Sequence, residues 1–176
     1  MATILTTTYD STTDTNAITI TLANLATSST LLAGEESTVV TNVSNLYVDA
    51  IVSGQITTGT TPTVNTTIAV YVHALLKQVS STATYATATA TALTGVDAAA
   101  TFEAGQLNSL KLAASINVNA TSNRAYNIQP FSVAQLFGGV LPIKWGLFVT
   151  HSTAVNLNAT AGNHWMHYQG IKFTNT

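Results

Sequence analysis

Apolar and polar residues alternate along most of this chain with a period of two. In Ala17-Ile18-Thr19-Ile20-Thr21-Leu22, the residues Ile18, Ile20 and Leu22 fall on one face and threonines on the other. Leu46 to Ile56 sets Leu46, Val48, Ala50 and Val52 against Tyr47, Asp49, Ile51 and Ser53. Val64 to Leu76 sets Ile68, Val70 and Val72 against Ala69, Tyr71 and His73. Such patterns predict half-buried strands, because successive side chains of a strand point to opposite faces. The Gly- and Pro-punctuated stretch 57–63 between the last two predicts a hairpin. Further strands are expected over 37–43, 107–118, 125–131, 143–151 and 163–174. One helical turn is expected within 96–105, with Asp97 as N-cap and Gly105 as its end. The Ala/Thr-rich residues 80–94 read as a weak edge strand or a surface loop. Three Ala-Gly pairs, at Ala33, Ala104 and Ala161, stand just before predicted strands, as tight turns into strands would require.

About eight short strands without an amphipathic helix predict an all-β fold. The simplest arrangement is a two-sheet antiparallel sandwich wound as a jelly roll, with an immunoglobulin-like sandwich as the alternative. The first residues break the pattern: 1–16 are polar and Thr-rich, with Ile4 and Leu5 almost alone as apolar side chains. They predict an extended N-terminal arm, ordered against a partner or a neighbouring copy, ahead of a β-sandwich domain over 17–176. A Thr-rich backbone suits addition to a sheet edge, where main-chain hydrogen bonds supply the affinity.

Composition turns this fold expectation toward a class of function. Hydrophobic residues make up 46% of the 176, enough for a packed core, but charged residues make up only 7%, against about 25% in typical soluble domains. A surface so poor in charge has little repulsion to hold molecules apart, which favours burial against partners. A homo-oligomer is therefore expected. The net charge of −2 and a lone arginine, Arg124, speak against nucleic acid, whose binding needs clustered cations. No apolar run approaches the roughly 20 residues of a membrane helix, so no membrane partner is expected. Met1 to Asp10 has neither a basic start nor an apolar core, so no signal peptide is expected.

Candidate chemistry is sparse. Acid–base catalysis needs paired ionisable groups, and of the seven acidic residues only Asp49, Asp97 and Glu103 fall outside the arm and the turns. Asp49 lies within a strand and is expected to hold backbone amides. His164 and His167 are three apart, which in a strand sends them to opposite faces, and His73 and His151 stand alone. Leu136-Phe137-Gly138-Gly139 lacks the Lys-Ser/Thr ending of a phosphate-binding loop. The chain is thus expected to be no enzyme, with no catalytic, cofactor or metal residue. The aromatic residues Trp145, Phe148, Trp165, Tyr168 and Phe173 concentrate in the last third. Most should be core; exposed ones would anchor an interface. The candidates for an interface are Ile4, Leu5, Tyr9, Phe131, Phe137, Trp145 and Trp165.

From Asp49 onward the order of features resembles a small virion structural protein of tailed bacteriophages. The pieces are Asp49-Ala50-Ile51-Val52, Thr58-Gly59-Thr60-Thr61-Pro62-Thr63, Ile68-Ala69-Val70-Tyr71-Val72, and Ala120-Thr121-Ser122-Asn123-Arg124-Ala125-Tyr126. They continue through Pro130-Phe131-Ser132-Val133-Ala134, Leu136-Phe137-Gly138-Gly139 and Leu141-Pro142 to Trp145-Gly146-Leu147-Phe148-Val149-Thr150-His151, the most specific piece, and end at Asn163-His164 and Tyr168-Gly170-Ile171. The likeness spans about three-quarters of the chain and leaves the arm unmatched; the Ala/Thr run at 82–92 departs from it. It implies a jelly-roll decoration (cement) protein that binds the major capsid protein on the virion surface, after synthesis in the host cytoplasm, with a trimer favoured and a dimer possible because capsid lattices offer three-fold positions. A carbohydrate-binding module on the phage surface and a tail or neck adaptor are the alternatives.

Overall fold

A computed structural model describes residues 5–10, 16–75 and 93–175 of the chain. Among these residues it is an all-β protein with ten strands in two antiparallel sheets and almost no helix. The strands are β1 (Leu5–Tyr9), β2 (Ala33–Glu36), β3 (Val40–Thr41), β4 (Asp49–Thr57), β5 (Thr66–Leu75), β6 (Ala98–Thr101), β7 (Lys111–Val118), β8 (Ala125–Ser132), β9 (Lys144–His151) and β10 (Trp165–Asn175). A four-stranded sheet runs β1-β10-β4-β8. A six-stranded sheet runs β6-β2-β9-β5-β7, with β3 also on β9.

The pairing is nested. β1 pairs β10, β2 pairs β9, β4 pairs β8 and β5 pairs β7, so the first half of the chain runs back along the second as one long hairpin. Wrapping that hairpin around itself adds the pairs β10–β4 and β9–β5 and separates the two sheets. This is the winding of a jelly roll, as the alternating sequence led one to expect. Short β3 and β6 are additions to it.

Two cores result. The main one lies between the sheets, with Ile18, Leu22, Val52, Ile56, Ile68, Val70, Val72, Ile128, Trp145, Leu147, Val149 and Met166 all buried. Trp145 of β9 meets Tyr168 of β10 edge to face, ring centres 5.6 Å apart, and so ties one sheet to the other. A second cluster lies on the far face of the six-stranded sheet. There Phe148 is covered by Leu93, Ala100, Phe102 and Leu110 from the excursion between β5 and β7.

Several local expectations are corrected. β4 and β5 do not form a hairpin: they lie in different sheets. Their connection is drawn across the end of the sandwich, since Thr58 N–H donates to the Arg124 carbonyl (3.0 Å) and Thr63 N–H to that of Thr153 (3.0 Å). Contacts to loops of both sheets make it an arch. Residues 96–105 are not a helical turn. Asp97 instead accepts from the Thr21 N–H (2.7 Å) and hydroxyl (2.6 Å), β6 follows directly, and a short 3-10 turn over Gln106–Ser109 comes after it. Ala17–Leu22 is not a regular strand, although Ile18 and Leu22 are buried as its alternation required. One helical turn was not foreseen, α1 (Val133–Leu136), capped by the Ser132 hydroxyl. The low-complexity residues 80–92 lie outside the described residues.

Candidate functional site

Side chains of β10 divide by parity. Met166, Tyr168 and Gly170 face the main core, so Trp165, His167, Gln169, Ile171 and Phe173 face outward from the four-stranded sheet. Register sets β1 beside them: Thr7 lies opposite Phe173 and Tyr9 opposite Ile171. Directly opposed residues share a face, so Leu5, Thr7 and Tyr9 join the same surface. Four large apolar side chains remain open there: Leu5 is 62% exposed, Tyr9 60%, Phe173 54% and Trp165 39%. Charge on this face is scarce, and the nearest carboxylate, Asp49 of β4, is already engaged. It accepts the backbone N–H groups of Ala50 (2.7 Å) and Ala134 (2.9 Å) and the Ser132 hydroxyl (2.7 Å), and so holds the start of α1.

The end of β1 is anchored. Asp10 N–H donates to the Gly170 carbonyl (2.8 Å), and the Asp10 carboxylate accepts the phenol of buried Tyr47. Burial and this carboxylate push the Tyr47 hydroxyl well above its ordinary range. A side chain at Gly170 would put its Cβ 2.4 Å from the Tyr47 ring, so only glycine lets the ring lie across β10 at this point. The arm read from the sequence therefore joins the sandwich through its own chain, with Leu5–Tyr9 as the edge strand of the four-stranded sheet.

Of the interface candidates, Leu5, Tyr9 and Trp165 come together on this face. Ile4 lies outside the described residues. Phe131 and Phe137 are half-buried and pack on the main core, Phe131 because its partner Val52 points inward. Trp145 is a correction: it is fully buried, and its indole N–H finds no acceptor among the described residues. β9 is central in its sheet and covered on both sides, which leaves no outer face for its aromatics. Phe173 was missed as a site residue. The signal was present, since it shares the parity of Trp165 on a single strand.

Polar groups elsewhere serve the fold. Burial lowers the His73 pKa to about 4. His151 and His164 are lowered by burial too, and each holds a backbone carbonyl with one ring nitrogen, that of Leu25 (3.0 Å) and Asn158 (2.9 Å) respectively. Buried Glu36 accepts the Thr94 N–H and hydroxyl and the Gly95 N–H, fixing the start of the excursion over the six-stranded sheet. Glu35 beside it is raised to about 7, by burial first and then by the charges of Asp97 and Glu36. Among the described residues no three His, Cys, Asp or Glu side chains group as metal ligands would, and no helix is long and apolar enough to cross a membrane. A cleft of about 320 Å³ opens between loops at one end, with Asn24, Thr60, Asn123, Asn156, Asn158 and Thr160 in its wall. Its groups are neutral amides and hydroxyls, and Asn158 Nδ2 already donates to Asn123 Oδ1 (2.9 Å).

No protein-family model, curated protein or solved structure matches this chain.

Proposed function

We propose that this chain is a capsid decoration (cement) protein of a tailed phage, which seats on the lattice of the major capsid protein and holds neighbouring subunits together. The observation that carries this reading is the uncovered set Leu5, Tyr9, Trp165 and Phe173 on a sheet face poor in charge. Burying such side chains stabilises contact by roughly 1.5–3 kcal/mol each before the costs of association are subtracted. Aromatic anchors within a neutral polar rim are the usual centre of a protein–protein contact. A protein bound only to the assembled lattice stabilises that lattice by mass action, which is how a cement acts. The order of motifs from Asp49 to Ile171 supports a virion setting, with synthesis in the host cytoplasm and attachment to the head surface.

Cryo-electron microscopy of the virions should show sandwich-shaped density over capsomer junctions. The purified chain should bind heads lacking it, and paired Trp165→Lys and Phe173→Lys changes should weaken that binding at least about tenfold. Density confined to a ring at the neck or tail would replace this reading with an adaptor. Absence from the particle would end it. The amide-lined cleft favours a second reading, a carbohydrate-binding module; saturable binding of a surface glycan, lost with Asn156→Ala, would support it over the first.

A further inference from the structure

The edge of β1, unpaired on its outer side among the described residues, has the chemistry of a self-pairing strand. Asp10 N–H bonds to Gly170 across the sheet. In an antiparallel ladder the pairs alternate between bonded and non-bonded, so Thr8 and Thr6, opposite Lys172 and Thr174, use their backbone groups toward β10. The N–H and C=O groups of Leu5, Thr7 and Tyr9 then point the other way, to the outer edge of the sheet. Among the described residues β10 is the sole strand that pairs with β1.

Exposed edges are ordinarily guarded by charge, proline, bulges or brevity. β8 carries Pro130 and faces β4 across an irregularity in register. β7 begins with Lys111, and β6 is four residues long. β1, Leu5-Thr6-Thr7-Thr8-Tyr9, has neither charge nor proline.

We propose that two copies of this chain join through β1, antiparallel about a two-fold axis at Thr7. This rests on the self-association contained in the decoration reading and names its contact. In that register Thr7 faces Thr7 of the second copy, and Leu5 faces Tyr9 in both directions. All three free residues of each strand fall at bonded positions, which gives six backbone hydrogen bonds and leaves no donor of the edge unused. On the outer face Ile171, Tyr9 and the second copy's Leu5 form a continuous apolar row, repeated by symmetry; aromatic–aliphatic cross-strand pairs of this kind stabilise sheets. Moving the register by two residues in either direction loses both of these Leu–Tyr contacts, so the sequence itself selects the pairing about Thr7. The two four-stranded sheets become one sheet of eight, and a strand edge closes with one partner. The oligomer is then a dimer and not the trimer that three-fold capsid positions would favour. Trp165 and Phe173 stay open on the joined sheet for the lattice.

The test uses the full chain in solution and needs no particle, so its outcome is separate from that of capsid binding. Sedimentation velocity should show a concentration-dependent dimer. Thr7→Pro removes an N–H used between copies and none used toward β10, and should raise the dimer dissociation constant at least about tenfold. Circular dichroism should show the fold retained. The chain has no cysteine, so Thr7→Cys introduces a single thiol. Opposed Cα atoms at a bonded pair lie about 5.5 Å apart, within disulfide range. Mild diamide, which takes up the two thiol hydrogens, should convert most of this variant to covalent dimer, while Thr8→Cys, displaced from its own symmetry mate and on the other face, should convert little. A chain that stays monomeric to about 100 µM, a trimer, or a dimer untouched by Thr7→Pro with no crosslink through Thr7→Cys would each overturn the proposal.

Discussion

The two sheets of this sandwich treat their outer faces in opposite ways. The six-stranded sheet carries Tyr71 and Phe148 outward, and the chain covers them itself with Leu93, Phe102 and Leu110, Phe102 meeting Phe148 edge to face at 4.8 Å. The four-stranded sheet carries Leu5, Tyr9, Trp165 and Phe173 outward and leaves them open. Carboxylates fix the periphery of both sheets: Glu36 holds Thr94 and Gly95 at the start of the cover, and Asp10 holds Tyr47 at the end of β1. The same residue types thus build a second core on one side and an open apolar surface on the other. The difference, among the described residues, is that a connection folds back over the six-stranded sheet and none over the four-stranded one.

Substitutions can separate the two sides. Trp145→Ala, in the main core shared by both sheets, should cost about 4 kcal/mol in urea unfolding. Phe102→Ala should cost about 3 kcal/mol if the cover is a true second core; a loss under about 1 kcal/mol would show it to be a loose flap. Asp10→Ala strands the buried Tyr47 hydroxyl and should cost about 1–2 kcal/mol, with faster amide exchange confined to residues 5–10.

The pH dependence should come from the covered side. Glu35 rises from an ordinary 4.5 to about 7 in the folded protein, so between these values the folded state holds the proton more tightly than the unfolded chain does. Its contribution is complete below pH 4.5 and is lost as pH rises through 7. Because Glu35 is partly exposed, solvent screening limits this to about 1 kcal/mol. Burial lowers His73, His151 and His164, which act in the opposite sense below pH 6.5. These histidines are common to both chains, so the difference in melting temperature between wild type and Glu35→Gln, at pH 5 and at pH 8, isolates Glu35. The variant should gain on wild type at the higher pH. Smallest of all should be the effect of Trp165→Ala on unfolding, under about 0.5 kcal/mol, beside a clear loss of particle binding. A larger destabilisation would place Trp165 in the core and remove the contrast between the sheets.

Period-two alternation was enough to read the all-β class, seven of the strands to within a few residues and the common face of Ile68, Val70 and Val72. It reflects a backbone property, since neighbouring side chains of any strand part to opposite faces. Leu5, Tyr9 and Trp165 were legible as candidates for a surface on other grounds, as apolar or aromatic residues of a polar arm and of the aromatic-rich last third. Parity cannot say which face another layer will cover. Trp145 and Trp165 stand in similar alternating segments, yet the first lies under a second sheet and the second lies open, because β9 is central and doubly covered while β10 has a layer on one side. Likewise the turn at 57–63 carried hairpin punctuation, but long-range hydrogen bonds to Arg124 and Thr153 sent its two strands to different sheets. The joining of the arm to β10 was also decided by tertiary structure: Thr-rich backbone accepts any open edge, and Gly170 is what let Tyr47 reach across and hold Asp10 there. Local chemistry set which residues share a face; the wrapping of one long hairpin set which faces met.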